Sequence, residues 1–291
     1  MGEVLQYFVT GLSLGGIYAL IALGFYVMWE TTRAANFSHG DVYMFGAVLA
    51  VVLLGWGLPL LVAAALAVAV SAIAGALIER VLIWPFNREP NAIGWMLTTI
   101  AVGILLESGT TIAYGTLGRP FPSPLARQPL RFAGAGIYPQ ELLLPLADIV
   151  ATVALEVFYR RTILGRAMRA VAFNRTVAGL MGINVNRIAV IAYAMAAAVA
   201  AVAGVLIAPV VEATPSMGTL VGLKAFGVAI VAGISNARGV VIVGIGYGIL
   251  EKFIEGYIST GARNAVGFTV MILMLLAFPQ GLFGRKEIAK V

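Results

Sequence analysis

Window after window of about 20 residues in this chain lacks a polar face. A helix needs about 20 predominantly apolar residues to cover the 30 Å hydrocarbon core of a bilayer. Within that core every backbone N–H and C=O must find a partner inside the chain, which leaves helices for segments of this kind. Composition agrees: apolar residues are 61%, charged residues 11%, and mean hydropathy is +0.98. A soluble domain is about half apolar and about a quarter charged. The expected fold is therefore all-α, a polytopic transmembrane helix bundle of about eight or nine spans with some short or broken helices. Residues 1–291 read as one transmembrane domain.

The spans read along the chain as Val4–Trp29, Asp41–Leu54, Leu58–Ile78, Ala92–Tyr114, Gln140–Tyr159, Ile188–Val211, Leu223–Ile234, Val240–Ile258 and Ala265–Phe283. Gly11, Gly15, Gly16 and Gly24 give the first a small flank for close packing. No basic n-region or cleavage site precedes it, so it reads as a retained span. The stretch Gly115–Pro139 is rich in proline and glycine and is expected to be irregular. Asp41–Leu54 and Leu223–Ile234 are too short to cross alone. Such segments in corresponding places of two halves mark an inverted repeat with a substrate route between them.

The formal net charge of +6 sits mostly in loops, which points to membrane orientation and away from nucleic acid. Placing Arg160–Arg187 in the cytoplasm and alternating outward puts 13 of the 19 basic residues there, including Arg33, Arg80, Arg88, Arg238, Arg285, Lys286 and Lys290. Arg119, Arg127, Arg131, Lys224, Lys252 and Arg263 fall on the other side or at its helix ends. Nine spans leave the N-terminus outside and the C-terminus inside. If Leu223–Ile234 is a half-helix, there are eight and the N-terminus moves inside.

No soluble-enzyme motif is present: no Walker loop, no nucleophile elbow and no cysteine. The single histidine, His39, cannot build a multi-histidine metal site. No catalytic residue, metal or cofactor of its own is therefore expected.

The cytoplasmic segment 160–187 is the most informative stretch. Its middle, Arg166–Met181, has good helix formers and no proline. Ala167, Ala170, Val171, Val177, Ala178 and Met181 form an apolar strip, with Arg166, Arg169 and Arg175 projecting elsewhere. Gly165 and Gly182 bracket it, Gly182 as a helix stop. The pattern suits an amphipathic helix at the membrane face, either an interfacial anchor or a docking knob for a cytoplasmic partner.

The run LGRAMRAVAFNRTVAGLMGINV, Leu164–Val185, resembles the coupling loop of ABC-type branched-chain amino acid permeases of the LivH type. GLSLGGIYALIALG (Gly11–Gly24), NFSHGDVYMFGA (Asn36–Ala47) and FPQGLFG (Phe278–Gly284) match the same family in order and spacing along nearly the whole chain. One departure is Phe173, where a polar residue is expected. The resemblance implies a bacterial or archaeal inner-membrane protein that works with a related second permease subunit (LivM type). It also implies two cytoplasmic ATPase subunits that bind the ATP, and an extracytoplasmic substrate-binding protein. Gly165, Arg166, Arg169, Ala170, Asn174, Arg175, Ala178 and Gly182 become the ATPase-coupling residues, and branched-chain amino acids such as leucine the cargo.

For the translocation route the candidates are Asn36, Ser38, His39 and Glu107, polar groups at or near membrane depth. Asn36 and Ser38 also suit a helix N-cap, and a packing or gating role suits Glu107. Two other readings stay open: a urea or short-amide permease of the same superfamily, and an ion-coupled secondary transporter using Glu107, Glu251 and His39.

Overall fold

The computed structural model describes residues 2–86, 94–132 and 134–284. Arg88, Pro90 and Ala92 of one loop, and Arg285, Lys286 and Lys290 of the tail, lie outside the described residues. The rest is helical: α1 (Gly2–Thr32), α2 (His39–Gly55), α3 (Leu60–Leu77), α4 (Gly94–Tyr114), α5 (Pro139–Arg161), α6 (Ile163–Phe173), α7 (Arg175–Leu180), α8 (Val185–Ile207), α9 (Met217–Ala232), α10 (Ala237–Tyr257) and α11 (Ala262–Ala277). A π turn, Ile78–Ile83, and a 3-10 turn, Trp84–Phe86, prolong α3. The proline-rich stretch before α5 holds a small antiparallel hairpin, β1 (Leu130–Phe132) with β2 (Ala135–Ile137). Among the described residues five helices are long and apolar enough to cross a membrane: α1, extended α3, α4, α5 and α8. The short helices α2, α9 and α11 are also apolar.

The bundle has two distinguishable ends. At the hairpin end, Gln6 near the start of α1 holds both backbone polar groups of Gly136. There, Gln140 at the start of α5 donates to the Leu206 carbonyl at the end of α8, and the end of α10 brings Gly256 onto the Tyr7 ring. At the other end lie α6 and α7. Arg175 of α7 donates to the Thr32 carbonyl at the end of α1. Arg238 at the start of α10 pairs with Glu156 near the end of α5. Consequently α1 and α5 run from the hairpin end to the α6–α7 end, while α8 and α10 run back. The start of α1 and the segment after α11 lie at opposite ends, since Leu282 and Phe283 bond the carbonyls of Val231 and Ala232 beside Arg238.

α1 is the central post, packed on α5, α8, α9 and α10. Its glycines do not share one flank. Gly11 and Gly15 meet the backbone of α10, Gly16 meets Leu144 and Pro145 of α5, and Gly24 faces the His39 ring. Each lets a different neighbour approach a helix that is apolar all round.

Two short helices break the pattern of through-running rods. After α1, residues 33–38 turn back into the interior and α2 starts at His39, buried against mid-α1. After α8, residues 208–216 do the same from the opposite end and α9 starts at Met217. The two starts touch. A Cβ on Gly40 would lie 2.6 Å from the Gly222 Cα, and one on Gly218 would lie 2.6 Å from the Gly40 carbonyl oxygen. From this crossing α2 runs toward the hairpin end, where α3 begins, and α9 runs toward the α6–α7 end. The starts also read alike, Ser38-His39-Gly40 and Ser216-Met217-Gly218. This is the geometry of an inverted repeat. It also places the second short segment at Met217–Ala232, where the sequence pattern began it only at Leu223: Gly218, Thr219 and Gly222 dilute the apolar signal of its first turns.

Candidate functional site: the crossing of two half-helices

The Asn36–Gly40 turn is built locally. Arg33, with φ 55°, ends α1 in a left-handed conformation. The Asn36 side-chain oxygen accepts from the Ser38 N–H at 3.1 Å and the Ser38 hydroxyl at 2.7 Å. Ser38 stands at the N-cap position of α2 but its hydroxyl makes no cap bond, because it is spent on Asn36. The Asn36 carboxamide thus orders the turn before α2. His39 is 1% exposed and stacks edge-on against Phe25 at 4.9 Å.

Beside the crossing lies a cavity of about 370 Å³ between α2, α4 and α9. Its walls are largely apolar, with Phe25, Phe37, Ile100, Ile104, Leu223 and Phe226. Its polar groups are Asp41, Glu107 and Thr219. The Thr219 hydroxyl lies 3.2 Å from Asp41 Oδ1 and 3.1 Å from Glu107 Oε2. Of the four pathway candidates read from the sequence, Glu107 lines this cavity. Asn36, Ser38 and His39 are packed behind its wall, at 2%, 0% and 1% exposure. Asp41 and Thr219 carry no sequence signal of their own, since they stand 178 positions apart and meet only because α2 and α9 begin together.

A second cavity of similar size opens on the hairpin side of α9's first turns, lined by Ser13, Tyr18, Tyr43, Glu141, Ser216 and Lys224 among others. Next to it sits a buried ion cluster. Lys224 (1% exposed) pairs with Glu251 (0% exposed) and donates to the Asn264 side chain at 2.7 Å. Glu251 also accepts from the Tyr18 hydroxyl at 2.6 Å and forms an ion pair with Arg263 at 3.1 Å. Lys224 is therefore an interior charge and no guide to membrane side.

At the α6–α7 end the expected single helix is two, because the Asn174 side chain caps α7 by accepting from the Val177 N–H at 3.0 Å. Gly182 follows with φ 83° and stops the segment. The Thr162 side chain caps α6. Gly165 is buried one turn in, where a Cβ would lie 2.6 Å from the Tyr159 Cα. The buried side is Gly165, Met168, Val171 and Ala178, so the apolar strip read from the sequence is split. Ala170, Val177 and Met181 face outward with Ile163, Phe173 and Leu180. Arg166, Asn174 and Arg175 are also exposed, while Arg169 donates to the Tyr159 carbonyl.

Residues 7–278 match the protein family described as "Branched-chain amino acid transport system / permease component". The chain is 33% identical over 304 aligned residues to the high-affinity branched-chain amino acid transport system permease protein LivH of Escherichia coli K12, covering 99% of this chain and 97% of that protein. It is also 33% identical to the corresponding permease protein BraD of Pseudomonas aeruginosa, covering 99% and 98%. The ribose import permease protein RbsC of Escherichia coli K12 is 28% identical over 265 residues, covering 89% of this chain and 78% of that protein.

Proposed function

The chain belongs to the branched-chain amino acid transport permease family, and from that premise we propose a mechanism for it in which an ATP-driven partner moves the crossing of α2 and α9. It is the multi-pass inner-membrane permease subunit of an ABC importer for branched-chain amino acids. The observation that carries the mechanism is the inverted pair of half-helices. Two helices that start at one interior point and leave in opposite directions form a site reachable from either side.

In this reading all nine apolar rods α1–α5 and α8–α11 count as crossings, α2 and α9 each together with the re-entrant stretch before it. The hairpin end faces outward and the α6–α7 end inward. Arg33, Arg160, Arg161, Arg166, Arg169, Arg175, Arg187 and Arg238 then lie on the cytoplasmic side. The opposite positions of the α1 start and the α11 exit support this count over eight.

Residues 160–187 act as the coupling loop, within a single permease domain. The exposed apolar groups Ile163, Phe173, Leu180 and Met181, rimmed by Arg166 and Arg175, suit a groove on a cytoplasmic ATPase. Phe173, 94% exposed, puts a large apolar group where the family resemblance leads one to expect a polar one. In this reading ATP binds to those partners, and this chain supplies no group to its hydrolysis. A second permease subunit of the LivM type and an extracytoplasmic binding protein complete the machine. Closure of the ATPases pushes on α6 and α7, which grip the ends of α1 and α5, and so tilts the helices that wall the route. Glu107 lines that route, with Asn36, Ser38 and His39 holding the turn behind it.

The test is leucine uptake into proteoliposomes holding the assembled importer. Uptake should require ATP and persist when ion gradients are collapsed. Charge reversal at Arg166 and Arg169 should uncouple hydrolysis from uptake or break assembly. Arg166→Glu is the cleaner arm, because Arg169 also holds the Tyr159 carbonyl. Unchanged uptake in the double variant refutes the docking assignment.

A further inference from the structure

The cavity beside the crossing is short of hydrogen-bond donors. Asp41 and Glu107 bring four carboxylate oxygens, and Asp41 is 4% exposed. The Thr219 hydroxyl sits within bonding distance of both carboxylates, 3.2 Å from one and 3.1 Å from the other. A hydroxyl has one proton and can donate to one of them only. Asp41 Oδ2 lies against the face of Gly103, where an added Cβ would collide with it. No Lys or Arg lines the cavity. Lys224, on the same helix, is turned to Glu251 and Asn264. A buried carboxylate lacking donors costs far more than one that is paired, and in a membrane it faces either protein or a route for polar cargo. The remaining walls are aromatic and branched aliphatic, led by Phe25, Phe37, Ile100 and Phe226.

We propose that Asp41, Glu107 and Thr219 form the subsite that receives the substrate's α-ammonium group, with the apolar walls taking the branched side chain. An ammonium brings three N–H donors and no acceptor. Two suffice for one oxygen of each carboxylate, and the third is free for a second oxygen of Asp41. The threonine hydroxyl then keeps the two carboxylates apart at a fixed spacing. This inference rests on the importer reading above and adds the chemical group by which the membrane subunit itself reads its cargo. It also revises the packing or gating role expected for Glu107, since the second carboxylate comes from a helix the sequence does not connect with it.

The experiment uses the assembled importer. ATP-driven leucine uptake by the unmodified complex comes first, and its absence would defeat the importer reading itself. With uptake established, the purified complex is treated with dicyclohexylcarbodiimide, and adducts at Asp41 and Glu107 are quantified by mass spectrometry. Three competitors at equal, high millimolar concentration share one branched skeleton: leucine, 3-methylbutylamine and 4-methylpentanoate. Leucine and the amine should slow labelling about tenfold or more, and the acid should leave it unchanged. Equal protection by the acid, or protection by none, overturns the proposal. Glu107→Gln and Asp41→Asn should each lower subsaturating leucine uptake by about 10- to 100-fold, the effect of losing one charge-assisted hydrogen bond. Glu107→Asp should recover part of the loss. Uptake unchanged in both neutral variants also overturns it.

Discussion

Replacing Glu251 with glutamine keeps the side chain's shape and removes its charge. Lys224 is then left 1% exposed with only neutral acceptors, the new carboxamide and Asn264 at 2.7 Å. Breaking a buried ion pair from one side costs about 3–5 kcal/mol, because the surviving charge stays buried. Lys224→Met is the milder lesion. Glu251 keeps Arg263 at 3.1 Å and the Tyr18 hydroxyl at 2.6 Å, so the expected cost is about 1–3 kcal/mol. Combining the two removes both charges, while Arg263 retains Glu255 at 2.9 Å. The double variant should therefore be more stable than Glu251→Gln alone. At roughly 2 °C per kcal/mol for a chain of this size, Glu251→Gln should lower the midpoint by on the order of 6–10 °C. The assay is a heating series on detergent-solubilised protein, read as the monodisperse fraction on gel filtration. Additive losses in the double variant, or equal losses in the two single ones, would refute the reasoning, since independent sites add and members of one network do not.

Two further outcomes follow from the packing. Gly40→Ala and Gly218→Ala should each lower stability by about 1–3 kcal/mol, because the added methyl meets backbone of the facing half-helix that cannot step aside; Gly109→Ala, which meets nothing within 4 Å, is the control in the same heating series. The chain has no cysteine, so single cysteines report membrane side without background: Ser259→Cys should react with an impermeant maleimide from outside intact cells and Phe173→Cys only after the membrane is opened, and the reverse pattern would invert the proposed orientation.

The helices were legible because lipid imposes a plain rule on every residue of a span, and apolar runs of the right length follow from it. Each apolar segment read from the sequence coincides with a helix, with boundaries shifted by a few residues except at the start of α9 and the end of α11. What the sequence hid was lateral. Gly11, Gly15, Gly16 and Gly24 look like one small stripe, yet they serve three different neighbours. Lys224 and Glu251 look like stray charges in apolar runs and are partners 27 residues apart. Asp41 reads as a helix start, and its meeting with Thr219 and Glu107 depends on two re-entrant turns whose depth no local pattern encodes. In residues 160–187 the helix formers read as one continuous helix, but the Asn174 side chain caps α7 and divides it into two.

The contact between Gly40, Gly218 and Gly222 has no side chains to interlock. Most helix pairs are keyed by residues that must change rotamer before the helices can shift, and that keying makes them stiff. Here bare backbone rests on bare backbone, so rotation about the contact meets little steric resistance while separation still forfeits the packing around it. Because α2 and α9 leave that point in opposite directions, a tilt that widens the gap beside one narrows the gap beside the other. In the mechanism proposed above the crossing would serve as a hinge pin, and exclusion between outward and inward access would follow from where the pin sits.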